Sequence, residues 1–133
     1  GLEVTHDYFR KPGSFKETMR AIACLKRAGI WVAIMNTVSS VNAHELPQLI
    51  DLVANLDVDV FAFGRYCPTS GQKRDEFHME PLEYRKVLLA AQERTEYHQA
   101  AGCKTFSSSR TIYGHFCCGS RASSRFLPTP NPT

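Results

Sequence analysis

Two stretches put polar, chemistry-bearing side chains where an apolar run gives way to a turn. Asn36-Thr37 follow Ile30-Trp31-Val32-Ala33-Ile34-Met35, and Gly64-Arg65-Tyr66-Cys67-Pro68-Thr69-Ser70-Gly71 follows Val58-Asp59-Val60-Phe61-Ala62-Phe63. Parallel α/β architectures gather their functional groups where strands end. Arg65 offers a rigid fork of donors that suits a carboxylate or a peptide, or a structural ion pair. Asn36 and Thr37 suit ligand contact, or a polar cap on the strand end. Asp57 and Asp59 lie at the opposite end, entering the strand. His44 falls in the first turn of a helix, and His78, His98 and His115 have no spacing that argues for metal.

The five cysteines are Cys24, Cys67, Cys103, Cys117 and Cys118. An odd count at scattered spacing is not a secreted disulfide framework and points to a reducing cytoplasm. Cys24 sits among apolar helix neighbours and is expected in the core. Adjacent cysteines such as Cys117-Cys118 rarely serve one tetrahedral site, so no metal ligand set is expected.

The elements that position these residues are legible from periodicity. Ser14 and Glu17 have capping-box spacing. Phe15, Met19, Ile22, Ala23 and Leu25 then mark one face of a helix that Gly29 stops, with Lys26 and Arg27 in its last turn. The run 30–35 is rich in β-branched residues and reads as a strand buried on both faces. Asn42 and Glu45 repeat the cap pattern. Leu46, Leu49, Ile50, Val53 and Leu56 line a second helix, and Pro47 is tolerated in its first turn. Residues 58–63 form the next strand. The segment Thr69–Glu80 is polar and lacks periodicity. Pro81 opens a third helix through Tyr84, Val87, Leu88 and Ala91, ending at Gly102; Glu93, Arg94 and Glu96 read as its exposed face. After Phe106 the pattern disappears, which predicts an irregular tail over 107–133.

The 133 residues allow a single domain, and 43% apolar content suits an ordinary globular chain. A formal charge of +3 is too small to argue for nucleic acid. Much of that excess comes from Arg110, Arg121 and Arg125. No apolar run approaches the ~20 residues that span a bilayer, and no leader pattern suggests secretion. Neither nucleic acid nor membrane is therefore an expected partner. A helix-strand-helix-strand-helix order with apolar strands predicts parallel strands joined by a crossover. Two such strands want others beside them, so the fold class expected is α/β: part of a (β/α) barrel.

The motifs themselves resemble a known family. His6-Asp7-Tyr8-Phe9-Arg10-Lys11-Pro12-Gly13-Ser14-Phe15 is similar to the segment after the fourth strand of radical S-adenosylmethionine enzymes. The nearer likeness is to SPASM-type maturases, which carry an extra cluster-binding domain and modify ribosomal peptides. Leu25-Lys26-Arg27-Ala28-Gly29-Ile30-Trp31-Val32 resembles that family's entry into its next strand, and Asn42–Leu46 its following helix start. Phe63–Gly71 resembles its Phe-x-Arg-x-x-Pro-x-Gly strand exit, with one extra residue before the glycine. Pro81-Leu82-Glu83-Tyr84-Arg85 also looks familial.

The resemblance implies that residues 1–106 are the second half of a barrel that holds S-adenosylmethionine and a [4Fe–4S] cluster. Such a barrel abstracts substrate hydrogen with a 5′-deoxyadenosyl radical and modifies a peptide or protein. It implies a cofactor region at Asn36, Thr37, Phe63 and Arg65, with adenine near the Phe63 backbone, and substrate contact at Arg65 and Tyr66. His6, Asp7 and Arg10 fall in a loop and either face substrate or fix that loop. Family members hold the cluster with Cys-x-x-x-Cys-x-x-Cys, because soft thiolates suit iron–sulfur centres. That motif is absent from these 133 residues, so the chain alone is expected to bind no cluster stably and to have no catalytic residue of its own. The alternative is a barrel remnant that binds a peptide or protein without catalysis. An ordinary barrel enzyme such as an aldolase would want a lysine or carboxylate at a strand exit. A half barrel also exposes strand edges, which predicts self-association. In the tail, permitted codons for Ser109–Phe126 read two nucleotides out of step give Lys-Asp-His-Leu-Trp-Pro-Leu-Leu-Leu-Trp-Glu-Gln-Gly-Leu-Phe-Lys. This restores the family's Lys-Asp-His-Leu-Trp and Glu-x-Gly-Leu-Phe motifs and points to a frameshift near Ser107.

Overall fold

The computed structural model describes residues 1–67 and 76–106, together with the backbone of 111–114. Its helices are α1 (Glu3–Phe9), α2 (Ser14–Arg27), α3 (Leu46–Asn55) and α4 (Pro81–Ala100). Its strands are β1 (Ala33–Val38), β2 (Val60–Arg65) and β3 (Thr111–Gly114). Single 3₁₀ turns at Ala43–Glu45 and Lys104–Phe106 lead into α3 and follow α4.

The strands form one parallel sheet in the order β1-β2-β3, so each lies beside its predecessor in the chain. The register sets Ala33 against Val60, Asn36 against Phe63 and Val38 against Arg65. The expected parallel pairing of the first two strands is present, but both strands begin two to three residues later than the apolar runs. The ladder starts at Ala33 because the carboxylate of Asp59 ties off the preceding residue: it accepts from Val32 N–H at 2.8 Å and Lys26 Nζ at 3.1 Å. The tail is not wholly irregular, since Thr111–Gly114 pairs with β2 from Phe61 to Gly64. A central strand with buried Phe61, Ala62 and Phe63 leaves backbone groups that require a second neighbour. Residues 107–110 and 115–133, including Cys117, Cys118, Arg110, Arg121, Arg125 and His115, lie outside the described residues, as do Pro68–Gly71 of the strand-exit motif.

The core lies between the sheet and α3 and α4. Leu46, Leu49, Ile50 and Val53 of α3 are buried as their spacing predicts, against Phe61, Phe63, Tyr84, Ala91 and Phe106. The Phe61 ring meets Phe63 at 5.7 Å and Phe106 edge-on at 6.3 Å. Met79, in the stretch read as a polar linker, is also buried. Burial of β1 on both faces is not observed. Ile34, Asn36 and Val38 alternate with exposed Ala33, Met35 and Thr37, and Met35 is 78% and Trp31 65% exposed. A helix layer covers one face of the strand, and the other is open. Cys24 is likewise exposed rather than in the core. The inward stripe of α2 runs Phe15, Met19, Ile22 and Lys26, and Cys24 falls off it.

Two polar clasps hold α4 and its exit. Asp51 on α3 accepts from Arg94 Nε at 2.5 Å and Nη2 at 2.9 Å, and pairs with His98 Nε2 at 2.7 Å. Arg94 is therefore not the free surface residue its helix position predicts. Its hydrogen bonds, and then His98, hold the Asp51 carboxyl below its ordinary pKa. Beyond the helix, Thr105 Oγ1 donates to the Val58 carbonyl at 2.7 Å in a fully buried contact. The α3 face carries the packing energy. Ile50→Ala is expected to cost about 2–5 kcal/mol in urea unfolding, the range for emptying a buried aliphatic site. A loss under about 1 kcal/mol would show that α3 does not anchor the core.

Candidate functional site

At the C-terminal end of the strands lies a cleft of ≈ 420 Å³. Met35, Asn36 and Thr37 of β1, Ser39 and Asn42 beyond it, and Tyr66 beyond β2 form one side. His6, Phe9 and Arg10 at the end of α1, with Phe77 ahead of α4, form the other.

The α1–α2 corner is built by a single carboxylate. Asp7 accepts from Gly13 N–H at 2.6 Å, Phe15 N–H at 2.8 Å and Ser14 Oγ at 3.1 Å. These amides are among the orphan donors that open α2. The cap of α2 is thus Asp7, not the Ser14–Glu17 box read from spacing; Gly13 occupies the cap position at φ +82°, where a side chain is strained. His6 Nδ1 lies 3.1 Å from Ser14 Oγ, and its ring stands edge-on to Phe15 at 5.7 Å. His6 and Asp7 thus lie in α1 rather than in a loop, while Arg10 stands just past the helix end, in the turn that this network holds. His6 and Asp7 fix the corner, and Arg10 is left lining the cleft. The backbone N–H of Phe15, followed by burial acting in the opposite sense and the remaining hydrogen bonds, leaves the Asp7 carboxyl below its usual range.

The facing side is built by the Asn42–Leu46 motif. Asn42 Oδ1 accepts from Ser39 N–H at 2.8 Å, and its Nδ2 donates to the Thr37 carbonyl at 2.9 Å. Asn42 therefore closes the turn out of β1 instead of capping a helix. Glu45 reaches to α1, accepting from Leu2 N–H at 2.8 Å and Thr5 Oγ1 at 2.6 Å. Both motif residues hold the cleft's edges together.

Of the site residues expected from sequence, Asn36, Thr37 and Tyr66 meet at this cleft. Asn36 and Thr37 stand inside β1 rather than past its end, and Asn36 Oδ1 lies 3.2 Å from the Gly1 nitrogen. Phe63 is buried in the core beside Asn36 in the ladder. Arg65 ends β2 opposite Val38 and is not among the described residues that line the cleft. Sequence reasoning missed Phe9, Ser39 and Phe77. Phe9 carried a weak signal in its apolar place beside Arg10; the other two lay in stretches without periodicity. Among the described residues no three His, Cys, Asp or Glu side chains are grouped to hold a metal ion. No described helix is long and apolar enough to cross a membrane.

Comparison with known proteins gives two partial matches. The chain is 35% identical over 89 residues to the sporulation killing factor maturation protein SkfB of Bacillus subtilis, covering 66% of this chain and 22% of that protein. It is 33% identical over 86 residues to the AdoMet-dependent heme synthase of Methanosarcina barkeri, covering 63% of this chain and 24% of that protein. Over this stretch the chain is similar to two enzymes of the radical S-adenosylmethionine family. It thus spans under a quarter of the length of either curated relative. No family model and no solved structure matches it.

The Asp7 clasp has a defined pH signature. A carboxyl whose pKa is lowered on folding stabilises the fold fully above its unfolded pKa, and that contribution is lost as pH falls through the lower folded value. Wild type and Asp7→Ala should therefore differ in Tm at neutral pH and converge in acid, below the ordinary carboxylate range. A difference that stays constant through that range and below it would refute the cap.

Proposed function

We propose that this chain is the later part of a radical S-adenosylmethionine (β/α) barrel that modifies a peptide or protein by radical hydrogen abstraction. One observation carries the reading: consecutive parallel strands, each beside its predecessor, open at their C-terminal ends onto one cleft of mixed polar and aromatic lining. That is the arrangement of a barrel wall. The two relatives support the family, and the maturation function in the name of one supports a peptide or protein substrate.

Bound S-adenosylmethionine would supply the radical. This chain's own part is to bind and orient. Asn36 and Thr37 present amide and hydroxyl groups to the cleft, and Arg10 presents a cation suited to a carboxylate. Arg65, at the rim of β2, is assigned to the cofactor or to the substrate chain, and Tyr66 to substrate. The described cysteines do not fit a [4Fe–4S] cluster. The reading assigns the cluster to a Cys-x-x-x-Cys-x-x-Cys motif that these 133 residues do not contain, and leaves the chain inactive by itself. It also takes the residues after Ser107 as frame-shifted.

Two measurements test this. The DNA for Ser109–Phe126 should carry codons that permit the displaced reading Lys-Asp-His-Leu-Trp; one forbidding codon removes the frameshift. The protein translated in the restored frame, together with its upstream sequence, should yield 5′-deoxyadenosine from S-adenosylmethionine after anaerobic iron–sulfur reconstitution. Asn36→Ala and Arg10→Ala should each lower that rate by about tenfold or more, the loss expected for a hydrogen bond to a charged ligand. Full activity in both variants would remove the cleft from the cofactor site.

A further inference from the structure

One corner of the cleft combines an unsatisfied hydroxyl with a wall of rings. Ser39 is 4% exposed and lines the cleft. Its N–H is taken by Asn42 Oδ1, and its carbonyl accepts from Asn42 and Ala43 N–H at 3.2 and 3.0 Å. Its Oγ alone has no partner among the described residues. A buried hydroxyl left unpaired costs stability. Neighbouring Ser40 is fully engaged, its N–H donating to the Phe77 carbonyl at 3.2 Å and its Oγ to the Glu76 carbonyl. That pairing brings Phe77 over the turn.

Phe77 is the middle of an aromatic row. Its ring centroid lies 5.4 Å from Phe9 and 5.8 Å from Tyr66, and Phe9 lies 5.4 Å from Tyr8. Phe9, Phe77 and Tyr66 all line the cleft, and each comes from a different segment. Yet the row is not closed over: Phe9 is 43% and Tyr8 69% exposed. Rings held at edge and tilted angles and still partly exposed gain from an added apolar side chain.

We propose that this corner is a subsite for one aromatic or large apolar residue of a peptide substrate, with the side chain on Phe9, Phe77 and Tyr66 and the backbone amide on Ser39 Oγ. A peptide residue carries an apolar group and a hydrogen-bonding group a few bonds apart, as the corner requires. A hydrocarbon would leave Ser39 unpaired, and a polar residue would waste the rings. The peptide identity rests on the proposed function; the paired chemistry of ring wall and hydroxyl does not.

The test uses the 133-residue chain and three probes: N-acetyl-L-phenylalaninamide, N-acetylglycinamide and adenosine. Titration by amide-resolved NMR should show the phenylalanine probe shifting signals of Phe9, Ser39, Tyr66 and Phe77, with the glycine probe binding far more weakly. Ser39→Ala should weaken the phenylalanine probe about three- to tenfold, the worth of one neutral hydrogen bond, while Tm holds or rises because an unpaired hydroxyl has gone. Phe9→Leu, at a half-exposed position, should weaken it about threefold or more. The proposal is overturned if the phenylalanine probe leaves these signals unmoved, if the glycine probe matches it, or if adenosine alone binds. It is equally overturned if Ser39→Ala lowers Tm and leaves affinity unchanged. None of these outcomes depends on cluster loading or reading frame, so failure here and failure of the radical-enzyme reading are told apart.

Discussion

The cleft exists because one carboxylate turns the chain. Asp7 gathers the first amides of α2 onto its two oxygens, and α1 is thereby folded back against the helix that follows it. Without that cap the α2 amides would turn to water, and α1, which buries no residue of its own, has little apolar contact to hold it. Glu45 adds polar contacts to Leu2 and Thr5, and the rings of His6 and Phe9 meet Phe15 and Phe77. So the wall that carries His6, Phe9 and Arg10 is placed by hydrogen bonds and a few ring contacts, whereas the opposing wall is placed by the sheet. A site assembled this way has one rigid side and one side whose position depends on a few directed contacts. That asymmetry is common where a binding corner is mounted on a stable scaffold.

The sheet supplies the rigid side through one-sided packing. α3 and α4 seal the face of Phe61 and Phe63, and the clasp of Asp51 with Arg94 and His98 fixes the two helices to each other at the surface. The other face, with Ala33, Met35 and Thr37, is open on β1. Parallel sheets are ordinarily covered on both faces, and among the described strands β1 is also an edge. Small residues at Ala62 and Gly64, which share that face by register with Met35 and Thr37, are what a closed barrel interior requires where walls converge. The open face and the free edge therefore agree with the reading of this sheet as part of a barrel wall.

Much of this was legible in the residues, and the failures share a cause. Periodicity placed α3 and the body of α4 because buried apolar residues mark their inner faces. It misplaced the strand starts because Asp59, a polar residue, ends the approach to β1. It also misassigned the caps. Ser14-x-x-Glu17 and Asn42-x-x-Glu45 have the right local spacing, but Asp7 caps α2 from upstream, Asn42 turns back to Thr37 and Ser39, and Glu45 reaches to Leu2 and Thr5, and the spacing encodes none of these partners. Cys24 was assigned to the core from the company it keeps in sequence, though a helix turns such neighbours to opposite sides. Asn36, Thr37 and Tyr66 were legible as residues of the cleft because strand exits announce themselves. Ser39 and Phe77 were not, because what matters about them is a missing partner and a spatial row.

The motif residues divide into those that build and those that remain available. His6, Asp7, Gly13, Ser14 and Phe15 are consumed in making the corner, and Asn42 and Glu45 in joining it to the strand exit. A motif can therefore be specific without any of those members touching a ligand: it encodes a geometry, and the geometry fixes where Arg10, Asn36 and Thr37 stand. In this chain that geometry aims a cleft at the strand ends. What distinguishes substrates then falls to the positions the frame leaves uncommitted, which in this chain are the unpaired hydroxyl of Ser39 and the half-exposed ring of Phe9.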